Sequence, residues 1–92
     1  MGDGPNGGDP QRPEAVLKRV SANLREARQS AGLSPEQLAR RSELHPVGVK
    51  RVEDGATMPR IDTVVKLAGA LDLPPAELCA GVDWDVERQR FE

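Results

Sequence analysis

Lys50 and Arg51 are the residues best equipped for chemistry in this chain, two adjacent cations in the otherwise largely apolar stretch HPVGVKRV. An ammonium neutralises a phosphate oxygen as a point charge, whereas a guanidinium can also meet two acceptors at once with parallel hydrogen bonds. Arg60 adds a third cation in a following loop, ATMPR. Other chemistry has little to draw on. The chain has one His and one Cys, with no carboxylates clustered at ligand spacing, so no nucleophile with its base, metal cage or cofactor is expected. His45 reads as a turn or helix-cap residue, and Cys79 as a small core residue on an apolar face. The expected activity is binding, not catalysis.

The cations need a scaffold, and the stretch from Ser34 to Gly55 supplies one. Ser34 can cap a helix with Pro35 at its first position and Gln37 three residues after the cap, so two orphan backbone donors are satisfied. Leu38, Ala39 and Ser42 fall on one face of this helix. The pattern breaks at Glu43-Leu44 and restarts after His45, where Pro46 opens a second helix. Val49 and Val52, three apart, turn inward and leave Val47, Gly48, Lys50 and Arg51 pointing elsewhere. Gly55 stops it.

Around this pair the spacing predicts three more helices. Leu17, Val20, Leu24 and Ala27 recur at helical spacing over Glu14 to Ala31, with Gly32 as the stop; Lys18, Arg19, Arg25 and Arg28 lie on other faces, mostly as a solvated surface. A fourth helix, Ile61 to Leu71, turns Ile61, Val64, Leu67, Ala68 and Leu71 inward. Pro74-Pro75 breaks the chain, and a short fifth helix runs from Pro75 to Ala80, with Leu78 and Cys79 facing inward and Gly81 ending it.

The chain therefore divides into an arm (1–13), a helical domain (14–81) and a tail (82–92). The arm, MGDGPNGGDPQRP, holds four Gly and three Pro and buries too little to offset its ordering entropy, so it is expected to be disordered. The tail places Val82, Trp84, Val86 and Phe91 among charges; it either folds back onto the domain or forms a helix that meets a partner. The full chain of 92 residues is one domain's worth, and with one Phe, one Trp and no Tyr its core must be built from aliphatic side chains and Ala.

Charge is unevenly spread. Residues 14–60 carry nine Lys or Arg against six Asp or Glu, whereas residues 61–92 carry three against seven. The net charge of −2 argues against binding nucleic acid by bulk electrostatics, but the positive portion coincides with the helix pair. A single Cys permits no intramolecular disulfide, and no signal peptide or membrane span is recognisable, so a bacterial-type cytoplasm is the expected compartment.

The span from Val20 to Ala80 resembles the Cro/C1-type, or XRE-like, helix-turn-helix domain of bacterial and phage repressors. The match rests on VSANLREARQSAGLSPEQLA, then the turn and LHPVGVKRVEDG, then Pro59 and IDTVVKLAGALDLPPAEL. The resemblance implies an all-α, compact five-helix bundle of the lambda-repressor-like DNA-binding type. It also implies a structural ion pair between Arg28 on the first helix and Glu53 at the end of the third. The first exposed residues of the third helix read base edges in that family. Here they are Pro46, Val47 and Gly48, none with a hydrogen-bonding side chain, so Val47 is left to touch a thymine methyl and Gly48 to admit close backbone approach. Lys50 and Arg51 are the stronger base-edge candidates, with Arg51 placed for bidentate reading of guanine. Pro35 stands where many members carry a phosphate-binding Gln. The phosphate candidates are accordingly the helix start near Glu36 and Gln37, together with Arg40 and Arg60.

The reading that follows is a sequence-specific regulator of transcription that binds double-stranded DNA, nucleoid-associated when bound. It is expected to act as a homodimer because one reading helix covers too few bases. The tail, with Trp84, is the candidate surface for the dimer or for a protein partner. An alternative keeps the scaffold and drops DNA: a protein-interaction module, which the apolar start of the third helix and the acidic last third of the chain suit.

Overall fold

A computed structural model describes residues 11–92. Among them are four α-helices: α1 (Pro13–Ser30), α2 (Pro35–Ser42), α3 (Pro46–Glu53) and α4 (Ile61–Ala70). A 3-10 helix (Pro75–Cys79) follows, and a two-stranded antiparallel ladder pairs β1 (Trp84–Asp85) with β2 (Arg90–Phe91). The first ten residues of the expected arm lie outside the described residues, and Pro13 belongs to α1 as its first-turn proline.

Each helix starts and stops for local reasons. Ser34 and Gln37 form the reciprocal capping box: the Gln37 N–H donates to Ser34 Oγ at 3.1 Å, and the Ser34 N–H donates to Gln37 Oε1 at 2.8 Å. His45 caps α3, its Nδ1 accepting the Val47 N–H at 3.2 Å. The turn between α2 and α3 puts Glu43 in the left-handed region, at φ 56°, so that the N–H groups of Glu43 and Leu44 return to the carbonyls of Arg40 and Ala39. Ser42 donates its hydroxyl to the Leu38 carbonyl and carries no unsatisfied group into the interior.

The core is aliphatic. Leu24, Leu38, Val49, Leu67 and Leu78 are its largest fully buried side chains, and Ala39 and Ala68 are wholly covered where α2 packs on α4. Both aromatic residues lie outside it, packed edge to face with each other, Trp84 against Phe91 with centroids 4.9 Å apart. No helix among the described residues is long and apolar enough to cross a membrane.

The structure corrects four expectations. The fifth helix is a 3-10 turn, not an α-helix: confined between Pro74 and Gly81, it is too short for α-helical bonding to propagate and closes with Glu77 N–H to Pro74 O at 2.9 Å. Cys79 on that turn is exposed, not inward. Ile61 is 80% exposed at the start of α4, because the chain entering through Pro59-Arg60 leaves nothing above that first turn, and the inward stripe begins at Val64. The tail is no helix. Trp84 pairs with Phe91 and Asp85 with Arg90, and the Asp85 carboxylate accepts the N–H groups of Glu87 and Arg88 to close the loop. The alternation V-D-W-D-V in Val82 to Val86 has the two-residue period of a strand, the signal that a helical reading passes over.

Candidate nucleic-acid interface

α3 is built as a helix with one committed face and one open face. Val49, Val52 and Glu53 are buried, while Val47, Gly48, Lys50 and Arg51 are exposed. Val47, Lys50 and Arg51 are separated by three and four residues, which places them together on the outer surface. Neither the Lys50 nor the Arg51 side chain makes a hydrogen bond or ion pair among the described residues, so both charges are available to a ligand.

The buried face is held by α1. Arg28 and Glu53 meet bidentately, Nε to Oε2 at 2.6 Å and Nη2 to Oε1 at 3.1 Å, with side-chain exposures of only 13% and 6%. Arg28 Nη1 also donates to the Leu33 carbonyl at 2.8 Å, so the guanidinium ties α1, the α1–α2 connection and α3 in one fork. Two further α1 residues reach the carbonyls that a helix C-terminus leaves without intrahelical partners. Ser21 Oγ donates to Val52 O at 2.6 Å, and Arg25 Nη1 donates to Glu53 O at 2.6 Å. Residues 21, 25 and 28 lie along one stripe of α1, three successive contacts that fix the direction of α3.

Sequence reasoning placed Arg25 on the solvated surface and did not single out Ser21. The available signal was their spacing relative to Arg28, since positions three and seven residues before it lie on the same stripe as the ion-pairing arginine. Asn23 is a third such residue: its amide donates to Leu78 O at 3.0 Å and to Ala80 O at 2.9 Å, fastening the 3-10 turn to α1. Arg41 does the same for α2 and α4, its Nε donating to Ala70 O at 2.9 Å.

The other expected contacts are distributed unequally. Glu36 and Arg40 are exposed on α2. The Gln37 N–H and Oε1 are both taken up by the capping box, so this backbone donor is spent inside the fold and is not free to meet a phosphate. Arg60 is the N-cap residue of α4, with its side chain 83% exposed and its Nε 3.3 Å from Asp62 Oδ1. An exposed pair of this kind holds weakly and exchanges readily for another anion. Among the described residues no group of three or more His, Cys, Asp or Glu is placed to hold a metal ion.

Comparison with known proteins agrees with this geometry. Residues 19–80 match a family model described as a helix-turn-helix domain. No curated protein matches the chain. Among solved structures, the restriction-modification controller protein C.AhdI from Aeromonas hydrophila superposes with a TM-score of 0.68 at 42% identity, over 70% of this chain and 97% of that one. A hypothetical transcription factor, NHTF, from Neisseria superposes at 0.66 with 32% identity, over 78% of this chain and 79% of that one. An HTH_3 family transcriptional regulator from Vibrio cholerae reaches 0.70 at 22% identity, over 73% of this chain and 38% of that one, a likeness of fold. With its capped α2, its left-handed turn at Glu43, its anchored α3 and these matches, the chain belongs to the helix-turn-helix domain family, in its Cro/C1-type, XRE-like form.

Proposed function

We propose that this protein is a sequence-specific, DNA-binding regulator of transcription that lays the outer face of α3 in the major groove and acts as a dimer on two half-sites. The observation that carries the reading is the contrast across α3: Lys50 and Arg51 are exposed and unpaired, while Glu53 on the opposite side is 4% exposed and clamped to α1. A helix whose axis is fixed and whose cations are left open suits a rigid, charged groove. Arg51 reads a guanine edge, Val47 packs on a thymine methyl, and Gly48 lets the helix backbone close on the groove wall. Lys50 serves as a second base-edge or phosphate contact. Arg60, Arg40 and the start of α2 at Glu36 are the backbone contacts, with Arg60 the most effective because its only side-chain partner among the described residues is a surface carboxylate.

The likeness to C.AhdI, nearly complete over that protein, supports a regulatory role. It also makes control of a restriction-modification system the first context to test, in a bacterial cytoplasm. The interaction-module alternative is not favoured, because the helix-turn-helix family model matches residues 19–80 and regulators are named among the similar structures.

The test is selection of bound duplexes from a random pool, followed by titration of the selected site at several salt concentrations. The expected result is a two-fold symmetric motif whose affinity falls steeply with salt. Arg60→Ala is expected to reduce the log-log salt slope by about one and to leave base preference intact, whereas Arg51→Ala relaxes preference at one position in each half-site. Return of no motif, or an affinity insensitive to salt, rejects the reading.

A further inference from the structure

Base edges in the major groove are read mainly through hydrogen bonds, and the first turn of α3 has no donor left to give. Pro46 has no backbone N–H. The Val47 N–H is taken by His45 Nδ1 at 3.2 Å, and the Gly48 N–H by the His45 carbonyl at 3.0 Å. None of the three side chains carries a polar atom. A helix start ordinarily presents free N–H groups to an anion; this one is closed by its own cap. All three residues are nevertheless exposed, Val47 at 53%, and a Cβ added at Gly48 meets nothing within 4 Å. Packing within the fold requires neither the valine nor the glycine there. What they provide is an apolar knob with clearance beside it.

The knob is set among charges. Lys50 and Arg51 follow on the same outer surface, exposed and with side chains unpaired among the described residues, so the partner that suits this face is anionic and not a lipid or an apolar peptide. Most groups on the floor of the major groove are polar: N7, O6 and O4 accept, and the N4 and N6 amines donate. Each of these loses water without replacement when a valine covers it. The C5 methyl of a pyrimidine is the apolar group that projects there. Thymine carries it always, and cytosine carries it once methylated at C5. The two differ at C4, where thymine has an acceptor and cytosine a donor. Residues 46–48 have no side-chain polar atom and no free N–H with which to test that position.

We propose that Val47, with the clearance left by Gly48, recognises the C5 methyl group itself, accepting thymine or 5-methylcytosine alike and rejecting unmethylated cytosine. Val47 and Arg51 are one helical turn apart, about 6 Å between Cβ atoms, against a rise of about 3.4 Å per base pair. The methylated pyrimidine therefore lies within two base-pair steps of the guanine that Arg51 reads. The proposal rests on the DNA-binding reading above and adds a form of regulation to it: where the contacted pyrimidine is a cytosine, occupancy of the site depends on whether that base is methylated.

The experiment is titration of the full chain against the selected duplex in versions that differ by one group at a time. Deoxyuridine in place of thymine removes the methyl alone; 5-methylcytosine or plain cytosine, each paired with guanine, changes the C4 group with and without the methyl. At one thymine in each half-site, within two steps of the guanine whose preference is lost in Arg51→Ala, deoxyuridine should weaken binding about fourfold, and about fifteenfold when both half-sites are changed. At that position 5-methylcytosine should recover most of the loss, and plain cytosine none of it. Val47→Ala, checked by thermal melting, should lower the ratio of thymine to deoxyuridine affinity and leave the guanine preference intact. A selected motif with no thymine within two steps of that guanine, deoxyuridine bound as tightly as thymine throughout, a ratio unchanged in Val47→Ala, or 5-methylcytosine bound no better than cytosine overturns the proposal. Each of these leaves salt-dependent duplex binding, and with it the regulator reading, in place; absence of binding to any duplex rejects both.

Discussion

At the C-terminal end of α3, Ser21, Arg25 and Arg28 of α1 engage Val52 and Glu53 within 3.1 Å. At its N-terminal end, Pro46, Val47 and Gly48 are exposed and the only cap among the described residues is His45, the residue immediately before them. The same helix thus carries a dense set of polar contacts on one side and a bare surface on the other. Interaction energy is concentrated where it fixes the helix axis and withheld where a ligand must approach. A reading surface that satisfied its own cations internally would have to break those contacts before meeting DNA; Lys50 and Arg51 have none to break. The division is one of faces: substitutions on the side clamped to α1 should change stability, and substitutions on the open side, Lys50 and Arg51 included, should change binding.

The largest effect belongs to the ion pair. Glu53→Ala strands a guanidinium that is 13% exposed and should lower the unfolding free energy by about 3 kcal/mol in urea titration. Pairing Arg28→Met with Glu53→Leu should recover most of that loss, because a buried ion pair and an apolar pair of similar volume are close in energy. If the double variant remains as unstable as the single, the anchored end is held by something other than this pair. Next is Ser21→Ala, which leaves the Val52 carbonyl without its 2.6 Å donor and should cost about 1 kcal/mol by the same measurement.

At the open end the sign reverses. Gly48 sits in a helix where a Cβ meets nothing within 4 Å, so Gly48→Ala should stabilise the fold by up to about 1 kcal/mol while weakening binding to the selected duplex. A variant that gains stability and keeps full affinity would show that the groove does not approach this position. The smallest effect is expected outside both ends, at the turn before α3. Glu43 holds a left-handed backbone at φ 56°, and Glu43→Gly should raise stability by a few tenths to about 1 kcal/mol with affinity unchanged, measured by the same two assays.

Much of the fold was legible because it is written locally. The capping box at Ser34, the first-turn prolines at 35, 46 and 75, and the stops at Gly32 and Gly55 act within four or five residues, and the structure places the helix ends beside them. The buried stripes of α1, α2 and α3 follow from helical spacing alone. Local rules misread the ends of the chain's later segments. Ile61 has the right spacing for the core but sits above its edge, and Pro75–Cys79 has helical signals but too little length to use them.

By itself, then, the sequence determined where helices begin, which faces they bury, and that Lys50 and Arg51 fall outside those faces, because each of these depends on neighbours a turn or less away. Only the tertiary structure decided that Ser21 and Arg25 reach the carbonyls of α3 across 31 and 28 residues of chain, and that Trp84 packs on Phe91 in a β ladder. It also left Ile61 and Val65 uncovered. The physical reason is that a hydrogen bond or an exposed surface between distant segments is set by how helices cross in space, and helical periodicity fixes a face without naming the partner that will meet it.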